Sequence, residues 1–179
     1  MKKVLGMTAA AVLMAAVLAQ AEEAGAPGRF GVGYQGAYNS GSGSSYFVNM
    51  ISLRYAPKPW GGALVFGHYN ENGYEAGTDS DGWTIQARCF YTLISRPNSD
   101  FYIGASAGYG KSEYETSSSE WDTDAILVGA LLGVEWHFTE LPELGFNFEI
   151  GYNAAFVDEE GDDDTWEGTF VSLGAHYYF

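Results

Sequence analysis

Beyond residue 28 the apolar and polar residues of this chain alternate with a period of two, in runs of roughly ten residues separated by turn-forming clusters. The clearest run is 83–93. Trp83, Ile85, Ala87, Cys89, Tyr91 and Leu93 fall on one face, and Thr84, Gln86, Arg88, Phe90 and Thr92 on the other. In 146–156, Phe146, Phe148, Ile150, Tyr152, Ala154 and Phe156 oppose Asn147, Glu149, Gly151, Asn153 and Ala155. Successive side chains of a strand point to opposite sides, so each run predicts a strand with one apolar and one polar face. Eight strands are predicted, at 29–38, 46–56, 62–70, 83–93, 101–110, 125–138, 145–156 and 165–179. The third carries the continuous run Ala63-Leu64-Val65-Phe66 and does not declare its faces. The sixth is rich in Ala and Leu, but Gly129 and Gly133 oppose a helix there. No helix is expected after residue 21.

The connections alternate between two kinds. Segments 57–61, 96–100 and 139–143 are tight and contain proline, whereas 39–45 is Gly/Ser-rich and 71–82, 111–124 and 157–164 are acidic. Antiparallel strands in sequence order put every tight turn at one end and every polar loop at the other. The faces then separate a barrel in water from a barrel in lipid. A soluble barrel needs a polar outer surface, and the polar faces here are too small to supply one. They carry Gly31, Gly33 and Gln35 on the first strand, Gly104, Ser106, Gly108 and Gly110 on the fifth, and Ser172 and Gly174 on the eighth. The opposite face of the fifth strand holds Phe101, Ile103, Ala105, Ala107 and Tyr109. It is aromatic at its ends and aliphatic between, as a lipid-facing strand with interfacial girdles requires. The expected fold class is all-β: an eight-stranded antiparallel up-and-down transmembrane β-barrel with periplasmic termini.

The first 21 residues lie outside this pattern. Met1-Lys2-Lys3 is a basic start, 4–18 is apolar, and Ala19-Gln20-Ala21 is a small-x-small cleavage site, which together predict a secretory signal peptide. An apolar run of about 15 residues is shorter than the roughly 20 of a membrane-spanning helix. The expected organisation is a signal peptide over 1–21, a periplasmic lead-in over 22–28 and an outer-membrane barrel over 29–179, in a Gram-negative-type bacterium. Charge sharpens this. The chain has 23 Asp and Glu against 8 Lys and Arg, a net charge of −15, and loss of Lys2 and Lys3 with the signal peptide deepens it to −17. Fifteen of the acids lie in the three acidic loops, so the charge belongs to one end of the barrel. Such a chain is a poor partner for nucleic acid, whose phosphates demand Lys and Arg. The single cysteine, Cys89, excludes an internal disulfide and a Cys-cluster zinc site.

The last strand ends at Phe179, and stepping back by two gives Tyr177, Ala175, Leu173 and Val171 on the same face. This resembles the C-terminal strand signature of outer-membrane β-barrel proteins. With the export signal and the eight segments, the whole mature chain resembles the small eight-stranded barrel family that includes the OmpA transmembrane domain, OmpX and the opacity-type surface proteins. The resemblance implies that Phe179 and Tyr177 form the signal read by the barrel assembly machinery. It also implies a monomer set in outer-membrane lipid and lipopolysaccharide.

The interior of an eight-stranded barrel is just wide enough for side chains to fill it. Arg54, Arg88, Glu135 and Glu149 are expected there, on the second, fourth, sixth and seventh strands, with Gln35, Gln86, Tyr178 and His176. An unpaired buried charge is costly, so Arg88 is expected within salt-bridge reach of at least one of the two glutamates. A structural polar plug is the first reading of this quartet, and a gate or narrow ion path the second. His68, His137 and His176 lie on three segments, and none has a serine two residues away as in the deacylase barrels, so no catalytic residues are expected. His137 and Glu135 read as a satisfied polar pair. No metal or cofactor is expected, because the acids around Gly161 lack the ligand order of an EF-hand loop. The acidic loops read as a solvated surface, with loose bridging of divalent cations as the weaker alternative. Tyr74, Tyr114 and Trp121 among those acids are candidate contacts for an extracellular protein or glycan. The expected function is a non-enzymatic outer-membrane barrel with a packed polar lumen and a structural or surface-interaction role. The alternatives are a small pore or transporter for ions or small apolar solutes and, third, a lipid-modifying barrel enzyme.

Overall fold

In the computed structural model, which describes residues 30–41, 44–72, 78–116, 120–159 and 162–179, eight antiparallel strands close into a barrel. They are β1 (Phe30–Gly41), β2 (Ser44–Tyr55), β3 (Trp60–Asn72), β4 (Thr78–Arg96), β5 (Ser99–Thr116), β6 (Glu120–Phe138), β7 (Leu141–Glu159) and β8 (Asp162–Tyr178). Each pairs with its sequence neighbours, and β1 closes on β8 from Gly31↔Tyr178 to Gly41↔Gly168. Closure pairs the first strand with the last and so removes the open edge that an eight-stranded sheet would otherwise carry.

The period of two decides which atoms meet lipid. On β5, Phe101, Ile103 and Ala105 are exposed while Tyr102, Ser106, Gly108 and Gly110 are buried. The exposed apolar set runs round the cylinder through Val32, Ile51, Leu53, Leu132, Ile150 and Leu173. Aromatic rings flank it. Trp60 packs edge-on against Tyr91 and Trp136 stacks with Phe146 at the turn end, and Trp83 meets Tyr109 at the opposite end. Apolar surface on this scale is costly in water and is what a bilayer requires.

The strands run further than the apolar alternation predicted. β3 to β8 take in most of 71–82, 111–124 and 157–164, which the sequence presented as acidic loops, and the ladders continue to Thr78↔Thr116 and Glu115↔Glu120. Beyond the bilayer both faces of a ladder are wet, so the apolar marking of a strand stops while backbone pairing goes on. The turns are correspondingly tighter. Trp60 and Gly61, Ser99 and Asp100, and 141–143 belong to strands rather than to connections.

Three details of the faces also depart from expectation. β3 resolves its ambiguity with Ala63, Val65 and Gly67 buried and Phe66 exposed. On β4 the register shifts between Thr92 and Ile94, so Leu93 and Ile94 are both exposed and the strict alternation through Leu93 ends in a bulge. The lumen, expected to be polar, is mixed. Ala37, Val48, Met50, Ala63, Val65, Phe90, Tyr102, Leu131 and Phe170 form a buried cluster inside the barrel. Two buried arginines need long aliphatic and aromatic surroundings as well as acids, and the small polar residues of the inner faces leave the volume for them.

Candidate functional site

The inner faces of seven strands bring their polar side chains to one place in the lumen. Arg88 on β4 and Glu149 on β7 form the tightest contact, with Arg88 Nη1 2.6 Å from Glu149 Oε2. Arg54 on β2 reaches both acids: its Nη2 lies 3.5 Å from Glu135 Oε2 on β6, and its Nη1 4.0 Å from Glu149 Oε1. Hydroxyls supply further donors to both acids, while Nε of Arg54 and Nε of Arg88 are buried without a hydrogen-bond partner. The Tyr102 hydroxyl donates to Glu149 Oε1 at 2.8 Å, Ser172 donates to Glu149 Oε2 at 3.2 Å, and the Tyr178 hydroxyl donates to Glu135 Oε1 at 2.5 Å. Arg88 also donates to Gln35 and Gln86, each at 3.5 Å.

Two cations and two anions, all four residues 5% exposed or less, make a charge-balanced cluster. Each ion loses several kcal/mol of hydration on burial, and only close opposite charges with filled hydrogen bonds offset that. Arginine suits the position because its planar guanidinium offers five donors to several acceptors at once. The rings complete the cage: the Arg54 guanidinium carbon sits 4.2 Å from the Phe90 ring centre and 4.9 Å from that of Tyr102. Below the cluster, at the turn end, a cavity of about 320 Å³ is lined by Arg54, Phe90, Arg96, Tyr102, Glu135 and Tyr178, among others. One wall of the charge cluster is therefore reached from that end.

His176 lies inside, hydrogen-bonded through Nε2 to Ser52 Oγ at 2.6 Å, both residues 1% exposed. Its Nδ1 has no hydrogen-bond partner, so no acid orients the ring as a hydrolytic triad requires. His137 is not the partner of Glu135. Its Nδ1 hydrogen-bonds the Pro142 carbonyl at 2.9 Å and its ring packs on Tyr178, while Glu135 turns inward to Arg54 and Tyr178. The strand alternation that puts Glu135 inside puts His137 one step nearer the rim. Cys89 is half-buried on the outer face, opposite Gly62 and Ala105. Among the described residues no group of three His, Cys, Asp or Glu is placed to hold a metal ion. At the C-terminus Tyr177 and Phe179 are exposed with their rings in edge contact, and the Phe179 amide donates to the Phe30 carbonyl at 2.8 Å.

Tyr114 and Trp121 are cross-strand partners on β5 and β6, and Tyr74 lies outside the described residues. The register around that pair shows a pattern not read from the sequence. On β4, β5 and β6 beyond the girdle, positions 79, 81, 111, 113, 115, 120, 122 and 124 continue the outer face, and every one is charged. Positions 78, 80, 82, 112, 114, 116, 121, 123 and 125 continue the lumen face, and none is charged. The signal was present as Asp79-x-Asp81, Lys111-x-Glu113-x-Glu115 and Glu120-x-Asp122-x-Asp124, a period of two in charge rather than in hydropathy.

A closed barrel that is apolar outside between aromatic rims and charged within is an integral membrane barrel, and the export signal expected at residues 1–21 fits an outer-membrane destination. Residues 6–179 match the family model described as the outer membrane protein beta-barrel domain, and the chain belongs to that family, in the lipid of the bacterial outer membrane. Solved structures of the same shape include Neisserial surface protein A, with a TM-score of 0.65 and 21% identity over 84% of this chain and 97% of that one. The attachment invasion locus protein Ail of Yersinia pestis aligns with a TM-score of 0.55 and 16% identity over 85% of this chain and 97% of its own. The N-terminal barrel domain of Pseudomonas aeruginosa OprF does so with a TM-score of 0.55 and 16% identity over 86% of this chain and all of its own. At these identities the likeness concerns the fold. No curated protein matches the chain in sequence.

Proposed function

We propose that this protein is a non-enzymatic, monomeric membrane anchor that holds its lumen shut and presents the extended hairpins of β3 to β8 above the outer membrane. The observation that carries this reading is the cluster of Arg54, Arg88, Glu135 and Glu149, which together with Tyr102, Phe90 and Phe170 fills the cross-section of the barrel. In this reading residues 1–21 are removed on export, Phe179 and Tyr177 are the assembly signal, and Arg54, Arg88, Glu135 and Glu149 are a structural plug. The outer carboxylates form a solvated acidic surface beside the lipopolysaccharide, and the extracellular ends face a protein or glycan. One of the solved Ail structures is a complex with the heparin analogue sucrose octasulfate. An equally sulfated ligand is a poor match here, because the outer end of this barrel is itself strongly acidic.

A second reading, a narrow pore, draws on the cavity that reaches Arg54 and Glu135 from the periplasmic side. Planar bilayer recordings separate the two. The plugged anchor gives no unitary conductance from the refolded protein, and its conductance stays absent in Lys58→Ala, a change at the rim of the cavity. Reproducible unitary steps from the native chain overturn the plug.

A further inference from the structure

We infer that the inner side of the extracellular hairpins is a binding face for an uncharged saccharide. This rests on the surface-anchor reading above and names the chemistry of its ligand. Three aromatic residues with described side chains share that side. Tyr46 continues the inner face of β2, Tyr69 that of β3, and Trp166, opposite Ala155, that of β8. The Tyr46 and Tyr69 rings lie 5.3 Å apart, and Trp166 is 39% exposed. Tyr114 and Trp121 hold inner register positions directly opposite each other on β5 and β6. Hydroxyls stand between them. Tyr69 hydrogen-bonds Ser112, whose register partner on β6 is Thr123. Thr123 lies on the same inner face, is 7% exposed, and its Oγ1 is itself buried without a hydrogen-bond partner. Glycine makes room for the ring: a Cβ on Gly82 would sit 2.4 Å from Tyr69 Cζ.

Ring faces beside hydroxyl groups match a pyranose, which offers an apolar C–H face and a rim of hydroxyls. Width selects against a folded protein, since an eight-stranded mouth is only a few side chains across while a stable protein interface buries roughly 1,200–2,000 Å². Charge selects against a sulfated or phosphorylated glycan. The outer positions of β4 to β6 are acidic apart from Lys111, and the few charged inner positions, 71, 159, 162 and 164, are acids as well. A neutral sugar meets no such repulsion.

The test titrates the refolded full chain in detergent micelles with maltohexaose, chitohexaose and sucrose octasulfate, following indole resonances and tryptophan fluorescence. A neutral hexasaccharide is expected to bind at millimolar or tighter affinity, to shift two or more indole signals, and to weaken by roughly tenfold or more in Trp121→Ala and in Tyr69→Phe/Trp166→Ala. Glu113→Gln, on the outer side, is expected to bind as the native chain does. Heat-modifiable mobility of every variant establishes that each barrel has folded. The proposal is overturned if folded protein responds to neither neutral sugar at roughly 10 mM, if binding persists unchanged in the aromatic variants, or if the octasulfate binds in preference. Unitary conductance with intact sugar binding would overturn the plug alone, so the two readings fail separately.

Discussion

Glu149→Ala is expected to destabilise the barrel by about 3–5 kcal/mol, the cost of leaving buried cations without their partner. The carboxylate is 2.6 Å from Arg88, 4.0 Å from Arg54 and accepts hydrogen bonds from Tyr102 and Ser172, so its removal strips four neighbours at once. Arg54 keeps Glu135, but Arg88 keeps only neutral acceptors, the amide oxygens of Gln35 and Gln86 and the Met50 sulfur. Urea unfolding of the protein refolded into lipid vesicles, read by the mobility shift between folded and unfolded forms, measures the loss. The double variant Glu149→Ala/Arg88→Met is expected to lose less than Glu149→Ala, because it removes the orphaned cation together with the acid. Equal losses would mean that charge balance is not what holds the cluster.

Gly33→Val is expected to prevent assembly of the folded barrel or to destabilise it severely. An added Cβ at Gly33 would sit 2.3 Å from His176 Cδ2 and 2.5 Å from the Ala175 carbonyl oxygen. The ring can turn only by breaking its bond to Ser52, and the carbonyl belongs to the strand ladder, so the strain is not relieved by one side chain. Overpacking of this kind costs typically about 1–3 kcal/mol and more where backbone must move. Gly110→Ala is the contrasting case. Its Cβ would meet nothing nearer than the Trp83 carbonyl at 3.4 Å, and the change is expected to be neutral or to stabilise by about 0.4–1 kcal/mol through the unfolded chain. The same urea titration reads both, and similar stability of Gly33→Val and Gly110→Ala would contradict a close-packed lumen.

These two glycines show where the sequence was legible and where it was not. The alternation Gly31-x-Gly33-x-Gln35 told that this face is narrow, and the number and order of strands followed from hydropathy alone. It did not tell that Gly33 is small because His176 lies across from it, since that is a property of the β1–β8 closure, between residues far apart in the chain. The charged quartet was readable because each member occupies a polar position in an otherwise apolar run. Phe90 fell on the Arg88 face by the same alternation, but its packing under Arg54 and the bond of Tyr102 to Glu149 were not readable, because an aromatic residue near a strand end reads equally as a girdle ring. The pairing of Arg54 with Glu135 and of Arg88 with Glu149 depends on which strands face each other across the lumen, and local pattern carries no information on that. Beyond the membrane the strands were missed because hydropathy no longer alternates there. The alternation of charge with Ser, Thr, Tyr and Trp on β4 to β6 carried the same period in another chemical variable.

The central claim is that one face of every strand meets lipid and the other lines a closed, packed lumen. Its most direct test is a spin label placed in turn at 101, 103, 105, 107 and 109 and at the inner positions 106 and 110, in a cysteine-free background made by Cys89→Ala and refolded into lipid vesicles; Gly104 and Gly108 are left out because a side chain there meets ladder backbone, whereas Gly110 has room for one. Collision rates with oxygen, which concentrates in the bilayer, are predicted to be high at 101, 103, 105, 107 and 109 and low at 106 and 110. A profile without that period of two, or one in the opposite phase, would contradict the account.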